Sequence, residues 1–377
     1  MNIQRTLKNQ LIDKLKTSNK IIILYGARQV GKTTLINAIL DELNLKSLKI
    51  NGDQTKFVDI LSSKDFEKMK SLVYGYELLF IDEAQKIPEI GINLKILHDQ
   101  MPDLKIIATG SSSFDLANKV GEALTGRAWS YTLFPISYSE LGVEKNDFEL
   151  NQMLEDNLIF GSYPEIFSLP SYDLKKEYLE NIYNSYLFKD IFELVNIKNS
   201  QKIRDLLKLL AFQIGNEVSL NELAGSLDIS RERVENYIDL LEKAFVVFRL
   251  SGFSRNLRKE VTKMDKIYFY DLGIRNAVID NFKLLANRDD QGKLWENFLI
   301  VERMKYLSYK KIYASRYFWR VYTGAEIDYL EESEGVLSAF EFKWKKLQKT
   351  APKGFTLAYP KAKYKCINRE NYLRFLV

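Results

Sequence analysis

The apolar residues in the first third of the chain switch repeatedly between two periods. Short, nearly continuous apolar runs predict buried strands at residues 21–24, 45–51, 77–81 and 104–109. Apolar residues three and four positions apart predict helices at residues 34–43, 63–72 and 92–100, and a leucine stripe predicts one more before the first strand, at Leu7, Leu11 and Leu15. Strands that alternate with helices predict a parallel sheet covered by helices on both faces.

The pattern of apolar and polar residues changes twice in the middle of the chain. Residues 150–195 have helical spacing and many aromatic side chains, which predicts a helical connector with an ordinary core. From residue 201, two amphipathic segments are followed by a third that Ser230 would cap. The alternating runs FVVFRL and KIYFYDL then enclose a basic loop. Three helices followed by two strands predict a winged helix-turn-helix.

The last hundred residues have a third pattern. A helical segment, GKLWENFLIVERMKYL, precedes three strand-like runs, a short helix-like segment and a last strand, KYKCINR. This order resembles that of the restriction-endonuclease-like nuclease core. The fold class that we predict is therefore α/β and multidomain, with an ATPase-type domain at 1–145, a connector at 146–198, a winged helix at 199–280 and a nuclease-like domain at 281–377.

Length and composition agree with several domains. A chain of 377 residues is too long for one ordinary core, and 46% hydrophobic with 28% charged residues indicates a folded globular protein. No apolar run approaches the roughly 18 residues that a membrane helix needs. The N-terminus has no hydrophobic region of a signal peptide, and Cys366 is the single cysteine. We therefore expect a cytoplasmic protein without a membrane partner.

The single histidine, His98, limits the kinds of catalytic site and metal site that the chain can form. Neither a Ser-His-Asp triad within the chain nor a Cys/His zinc site can be built from this inventory. Any metal site must use carboxylates and hydroxyls, which favour Mg²⁺ or Mn²⁺.

The most informative motif is GARQVGKT, a complete match to the phosphate-binding loop G-x-x-x-x-G-K-[ST]. It follows the first predicted strand and leads into a helix, so backbone N–H groups and the helix N-terminus would surround phosphate oxygens. Lys32 would reach the terminal phosphates of ATP or GTP, and the hydroxyl of Thr33 would bind Mg²⁺. The residues expected to bind nucleotide here are Gly26, Ala27, Arg28, Gln29, Val30, Gly31, Lys32, Thr33 and Thr34.

A second nucleotide signature is ELLFIDEAQ, where a buried strand ends in two carboxylates. Asp82 would hold Mg²⁺, and Glu83 would orient or deprotonate the attacking water. The next strand brings Thr109, Ser111 and Ser112 to the same edge of the sheet. We interpret Ser111 either as a sensor of the γ-phosphate or as a turn-forming hydroxyl.

Three runs together carry a resemblance to a known family: GARQVGKTTL, LLFIDEAQKIP and ATGSSSFDLANKVGEALTGRAWSYTLFPISYSEL. They resemble a group of bacterial and archaeal P-loop ATPases of the AAA superfamily, closely over residues 15–145. The resemblance implies adenine rather than guanine and offers Arg127 as a candidate phosphate-contacting arginine. Because such an arginine is often supplied by a neighbouring subunit, a homo-oligomer is one possibility that the sequence leaves open. A structural salt bridge is the alternative role of Arg127.

The C-terminal strands carry a candidate second site. Asp328 lies on one predicted strand, and Glu341 and Lys343 share a face of the next. Asp328 and Glu341 would hold Mg²⁺ or Mn²⁺ while Lys343 would orient water, and Glu296 and Glu326 could add carboxylates. Because cross-strand Glu/Lys pairs are common in sheets, an active nuclease, an inactive nucleic-acid-binding fold and an unrelated site all stay open.

The net charge of +5 is unevenly distributed. Eight lysines lie between residues 341 and 365, and a second basic stretch holds Arg249, Arg255, Arg258, Lys259, Lys263 and Lys266. Basic residues among aromatics favour a nucleic-acid partner, DNA more than RNA, although a lysine-rich solvated surface is the plain alternative. The third helix of the winged-helix segment mixes arginines with four acids, so DNA contact and protein packing remain open there.

Together these features predict an Mg²⁺-dependent ATPase that couples ATP hydrolysis to nucleic-acid binding. Metal-dependent DNA cleavage is a further hypothesis. A regulatory switch that recognises a protein partner and an oligomeric motor that remodels protein are the two alternatives.

Overall fold

The computed structural model of the protein describes residues 3–111, 123–187, 200–255, 264–321, 324–345 and 350–376. Two sheets organise these residues. A five-stranded sheet belongs to the N-terminal third, and a six-stranded sheet belongs to the C-terminal half. Helices pack on both sheets and fill the space between them.

The N-terminal sheet is parallel and has the order β2-β3-β4-β1-β5. Its strands are β1 (Ile21–Tyr25), β2 (Ser47–Asn51), β3 (Leu78–Asp82), β4 (Lys105–Gly110) and β5 (Ala128–Thr132). The helices that accompany it are α1 (Leu7–Thr17), α2 (Lys32–Leu43), α3 (Thr55–Leu61), α4 (Phe66–Val73) and α5 (Ile90–Gln100). The predicted parallel sheet with helices on both faces is thus confirmed.

The central strand shows why its sequence is continuously apolar. All five residues of β1 are buried. Ile22 and Leu24 join the core on one face of the sheet, whereas Ile21 and Ile23 join the core on the other. A strand covered by helices on both faces has no solvent side, so no polar alternation is possible.

The predicted helical connector follows β5. Its helices are α6 (Tyr138–Leu141), α7 (Asp147–Phe160) and α8 (Tyr172–Asn181), followed by a π-helical turn at Ile182–Leu187. Capping boxes begin the first two, with Ser137 paired to Glu140 and Asn146 paired to Glu149. Residues 188–195 of the predicted connector lie outside the described residues.

Three helices and a strand pair come next, in the order that the sequence predicts. They are α9 (Ser200–Phe212), α10 (Leu220–Leu227) and α11 (Arg231–Lys243), then β6 (Val247–Gly252) and β7 (Lys266–Phe269), which pair antiparallel. Ser219 and Ser230 cap α10 and α11. The loop residues Arg258, Lys259 and Lys263 lie outside the described residues, and the assignment as a winged helix stays a prediction.

The C-terminal elements follow the predicted order of helix, three strands, helix and strand. After α12 (Leu272–Val278), they are α13 (Gln291–Tyr309), β8 (Ser315–Arg320), β9 (Glu326–Ser333), β10 (Val336–Phe342), α14 (Lys353–Ala358), β11 (Lys363–Ile367) and α15 (Leu373–Leu376). The sheet order β11-β10-β9-β8-β6-β7 includes the strand pair of the preceding segment. Ser251 and Gly252 of β6 pair in parallel with Tyr317 and Phe318 of β8. The segments that the sequence separates at residue 280 therefore share one sheet.

Helix α13 connects the C-terminal sheet to the N-terminal domain. Most of its side chains are buried, as expected for a helix enclosed on all sides. At its last residue, the hydroxyl of Tyr309 accepts a hydrogen bond from the backbone N–H of Phe134, and its carbonyl accepts one from Gln10. These two hydrogen bonds join the end of α13 to α1 and to the segment that follows β5.

None of the helices in the described parts of the chain combines the length and the apolar composition that crossing a bilayer requires.

Candidate functional site

The phosphate loop joins β1 to α2 through residues with unusual backbone angles. Gly26 has a φ of 153°, and a Cβ there would collide with the carbonyl oxygen of Leu133. Gln29 and Gly31 have φ values of 62° and 94°. Gly31 is the residue that precedes α2, so the loop leads directly into a helix N-terminus, whose first N–H groups have no partner within the helix. Such an arrangement would bind phosphate.

Lys32, the first residue of α2, is held by the loop itself. Its side chain is only 6% exposed, and its Nζ donates hydrogen bonds to the carbonyl oxygens of Gly26 (2.8 Å) and Ala27 (2.9 Å). The ammonium therefore lies across the loop, where it would neutralise the charge of a bound phosphate chain.

Thr33 and Asp82 form the candidate magnesium site. The hydroxyl of Thr33 donates a hydrogen bond of 2.7 Å to Oδ2 of Asp82, and the hydroxyl of Thr109 donates to Oδ1. A hydroxyl beside a carboxylate at the end of a buried strand is an oxygen ligand pair that suits Mg²⁺. The residues expected to bind the metal therefore fit it, with phosphate and water supplying the remaining ligands.

Glu83 lies beside the metal position in a left-handed conformation, with a φ of 52°. Its Oε2 accepts a hydrogen bond from the side-chain amide of Gln85. The same amide donates to Oγ of buried Ser111 across 3.1 Å. The structure thus brings Glu83 and Ser111 together through Gln85, which the sequence analysis did not single out, although it stands in the same DEAQ run. Ser112 lies outside the described residues.

An open cleft of about 570 Å³ lies at this edge of the sheet. Arg28, Gln29, Gly31, Lys32, Thr33 and Thr34 of the predicted loop contribute to it, as do Asp82 and Glu83. Val30 is instead completely buried and does not line the cleft. The sequence analysis missed several lining residues that come from distant segments: Asn51, Asp53, Lys86, Pro164 and Glu165.

A buried arginine supports the phosphate loop from behind. Arg5 donates to the carbonyl oxygens of Val30 (2.8 Å) and Phe134 (2.5 Å) and to Oε1 of Glu140 (3.0 Å). No local pattern marks Arg5 as a support of the loop, because all three acceptors are distant in sequence.

The rim of the cleft at Pro164 is fixed by the C-terminal half. The carboxylate of Asp271 accepts hydrogen bonds from the N–H groups of Ser162 (2.7 Å) and Ile274 (3.1 Å). Lys305 of α13 donates to Oγ of Ser162 across 3.1 Å. Burial raises the pKa of Asp271, and the two N–H donors and Lys305 oppose that shift. Elements after residue 270 therefore determine where this rim lies.

Arg127 lies at the wrong edge of the sheet to contact a phosphate bound in its own chain. It directly precedes β5, whose first residue pairs with Ile21, whereas the phosphate loop follows Tyr25 at the other end of β1. Its guanidinium forms a bidentate ion pair with the carboxylate of Asp99, with N–O distances of 2.7 and 3.0 Å. The structural salt bridge is therefore the role that this chain displays, and a contact to a neighbouring subunit stays a prediction.

The C-terminal residues Asp328, Glu341 and Lys343 come together on adjacent strands. Oδ2 of Asp328 accepts a hydrogen bond of 2.7 Å from the N–H of Phe342, and Lys343 donates one of 2.5 Å to Oε1 of Glu341. Both carboxylates are buried. Burial, followed by the nearby carboxylates of Glu296 and Glu341, raises the pKa of Asp328 well above its usual range.

A lysine from β7 reaches the same cluster. Nζ of Lys266 lies 3.2 Å from Oε1 of Glu296 and also pairs with Glu326. Lys266 belongs to the second basic stretch of the sequence, but its side chain is buried.

The C-terminal cluster therefore does not fit a bound Mg²⁺ or Mn²⁺. Lys266 and Lys343 already pair with three of the four carboxylates that would hold the metal. Within the described ranges, no three Asp, Glu, His or Cys side chains are arranged as metal ligands. We derive no cleavage step from this cluster.

Comparison with known protein families divides the chain into three matched segments. Residues 18–142 match the AAA domain. Residues 151–285 and 291–374 match two domains of unknown function, DUF8612 and DUF4143.

Relatives in bacteria and archaea share the sequence over most of this chain. An uncharacterized protein of Methanocaldococcus jannaschii is 27% identical over 304 residues, which cover 75% of this chain and 66% of the relative. An uncharacterized protein of Mycobacterium tuberculosis is 28% identical over 328 residues, covering 86% and 70%. This chain thus spans about two thirds of the length of these relatives.

Solved structures that resemble the chain are more distant. The RuvB Holliday junction branch migration motor of Thermotoga maritima has a TM-score of 0.34 and 19% identity, covering 66% of this chain and 90% of that protein. AMPPCP-bound DnaA of Aquifex aeolicus has a TM-score of 0.33 and 15% identity, covering 63% and 87%. Likeness at this level carries no functional argument. Residues 18–142 of this chain match the AAA domain, and their described part has the phosphate loop and the parallel sheet of a P-loop NTPase fold.

Proposed function

We propose that this protein is an Mg²⁺-dependent ATPase that couples ATP hydrolysis to the binding of nucleic acid, DNA more than RNA. The observation that carries the ATPase part is the convergence of Thr33, Asp82 and Glu83 at the edge of the parallel sheet where the phosphate loop ends. Adenine is favoured over guanine by the AAA domain match.

Each residue of the cleft has a distinct task in hydrolysis. Lys32 and the N–H groups at the start of α2 would bind the phosphate chain and offset its negative charge. Thr33 and Asp82 would hold Mg²⁺, which supplies charge neutralisation when it is bound. Glu83 would accept a proton from the attacking water, a task that typically contributes about 10²–10⁴ in rate.

Gln85 would control the position of Glu83. Its amide donates to both Glu83 and Ser111, so the carboxylate is kept at the side of the cleft where the γ-phosphate would arrive. A polar group on Ser111 at that point suits a residue that responds to the γ-phosphate.

Exposed lysines around β11 support a nucleic-acid partner. Lys353, Lys361, Lys363 and Lys365 are exposed, and Tyr359 and Tyr364 lie among them. Arg231 and Arg233 are also exposed, at the start of α11, where a helix in the major groove makes its base contacts. Arg249 does not contribute, since it pairs with Asp239 and Glu242 of α11.

The regulatory switch remains the second candidate function. It is favoured by two hydrogen bonds at Ser162, whose N–H donates to Asp271 and whose hydroxyl accepts from Lys305, because they would let the C-terminal half respond to the state of the nucleotide cleft. In that case the C-terminal half would recognise a protein partner, and its carboxylate cluster would have no catalytic task.

Turnover of ATP with and without nucleic acid separates the two functions. We expect duplex DNA to raise the turnover, and the effect to fall steeply between 50 and 200 mM salt, because phosphate contacts release counterions. The double variant Lys363→Gln/Lys365→Gln should weaken DNA binding and lower the salt slope by about 2. The matched control is Lys68→Gln/Lys70→Gln on α4, which should change neither. Turnover that is indifferent to every DNA and RNA tried would favour the switch.

A further inference from the structure

Lys266 is a deeply buried lysine that contacts the C-terminal carboxylate cluster. The cluster consists of Glu296, Glu326, Asp328 and Glu341. Its side chain is only 3% exposed and lies 5.2 Å from the ring centroid of Phe318. It pairs with Glu296 of α13 and with Glu326 of β9. The hydroxyl of Tyr268, two residues further along β7, donates to the same Oε1 of Glu296 across 2.5 Å. One strand thus places a cation and a donor inside the cluster.

The charges explain why a lysine is stable there. Burial alone would lower the pKa of Lys266, but the carboxylates of Glu296, Glu326 and Asp328 outweigh it and raise the pKa above the ordinary value. The ion pairs with Glu296 and Glu326 favour the charged ammonium at this position. Removing it would leave buried carboxylates without a counter-ion, which is costly in a protein interior.

Each of the four carboxylates in the cluster has one oxygen paired with a protein group. Glu296 and Glu326 pair with Lys266, Asp328 accepts from the N–H of Phe342, and Oε1 of Glu341 accepts from Lys343. Oε2 of Glu341 is buried and has no hydrogen-bond partner among the described residues. A divalent ion such as Mg²⁺ needs several oxygen ligands at about 2.0–2.1 Å, and the two lysines and the N–H group compete with it for these oxygens.

We propose that Lys266 is a built-in cation that takes the place of a divalent metal in this cluster, so that the C-terminal region binds no metal while β7 is in position. The ion pairs of Lys266 with Glu296 and Glu326 then hold β7 against α13 and β9. This inference concerns the C-terminal half alone and does not rest on the ATPase proposal.

Manganese binding to the full-length, nucleotide-free protein tests the proposal, measured by electron paramagnetic resonance. Every variant carries Asp82→Asn, which silences the metal site of the phosphate loop. In this background Lys266→Met, which keeps the length of the side chain and removes its charge, should bind Mn²⁺ at least tenfold more tightly. The gain should disappear when Glu341→Ala is added. Lys266→Arg, which keeps the charge, should show no gain.

Two results would overturn the proposal. One is a folded Lys266→Met variant that binds Mn²⁺ no better than its parent. The other is Mn²⁺ binding by the parent with Lys266 intact that is lost in Glu341→Ala. The second measurement does not need the Lys266→Met variant, so it decides the question even where that variant fails to fold. Both are independent of ATP turnover, which is assayed separately in protein with Asp82 intact.

Discussion

The hydroxyl of Thr33 donates a hydrogen bond of 2.7 Å to Oδ2 of Asp82. The two residues are 49 positions apart and belong to the two nucleotide signatures of the chain. Their contact ties the start of α2 to the end of β3. Because both oxygens are already in place, the protein has little to rearrange when the metal and phosphates arrive.

Asp82→Asn should make nucleotide binding independent of magnesium. The amide keeps the shape of the side chain but loses the charge that holds Mg²⁺, so we expect turnover to fall by about 10²-fold or more. ATP binding measured by calorimetry should no longer respond to added Mg²⁺. The control is Thr33→Ser, which keeps the hydroxyl and should retain most of the turnover. An Asp82→Asn protein that still binds ATP more tightly with Mg²⁺ would contradict the assignment.

Glu83→Gln should trap ATP in the cleft. The amide cannot accept a proton from water, so we expect the turnover number to fall by about 10²–10⁴ while ATP affinity stays within a few-fold. Single-turnover assays and nucleotide-binding titrations on the same preparation measure both quantities. Glu89→Gln is the matched control, since Glu89 is exposed and pairs only with Lys64 across 2.6 Å among the ion pairs of the described residues. Unchanged turnover in Glu83→Gln would remove Glu83 from its proposed role.

The ion pair of Arg127 with Asp99 predicts a titration that can be followed directly. Hydrogen bonds from Arg127 and, secondarily, from His98 lower the pKa of Asp99 to about 2. Arg127→Met should return the pKa toward the ordinary value of about 3.9, which carboxyl NMR measures. Since the folded pKa is the lower one, the stabilisation by this pair is present above pH ~4 and is lost as the pH falls toward 2.

The same variant tests the intersubunit role of Arg127. A purely structural arginine predicts unchanged ATP turnover at neutral pH. An arginine that contacts the γ-phosphate of a neighbouring subunit predicts a loss of about 10³-fold or more, together with turnover that depends on protein concentration in the unaltered protein.

Gly52→Ala should damage the site without altering any catalytic side chain. Gly52 packs against the carbonyl oxygen of Glu83, with which an added Cβ would collide. We expect a loss of about 1–3 kcal/mol in the free energy of unfolding, measured by denaturant titration, together with reduced turnover. Gly225→Ala in α10 is the control, because a Cβ there meets no atom within 4 Å. It should leave turnover unchanged and stabilise the protein by up to about 1 kcal/mol.

Several site residues could not have been recognised without coordinates. Gln85 lies within a predicted motif, but its link between Glu83 and Ser111 depends on how two neighbouring strands end. Arg5 and the Pro164–Glu165 turn reach the cleft from segments that are far from the loop in sequence. A pattern along the chain records local periodicity, whereas these contacts depend on how separate segments pack.

The sequence by itself determined the nucleotide-binding loop, the carboxylates of Asp82 and Glu83 and the parallel sheet that presents them. Each depends on short stretches in which strand, loop and helix follow one another, so local spacing is sufficient. Only the tertiary structure decided that Arg127 lies at the opposite end of β1 from the phosphate loop and that Lys266 fills the carboxylate cluster. Both outcomes follow from strand register and sheet order, because these determine which distant side chains meet and therefore which charges cancel.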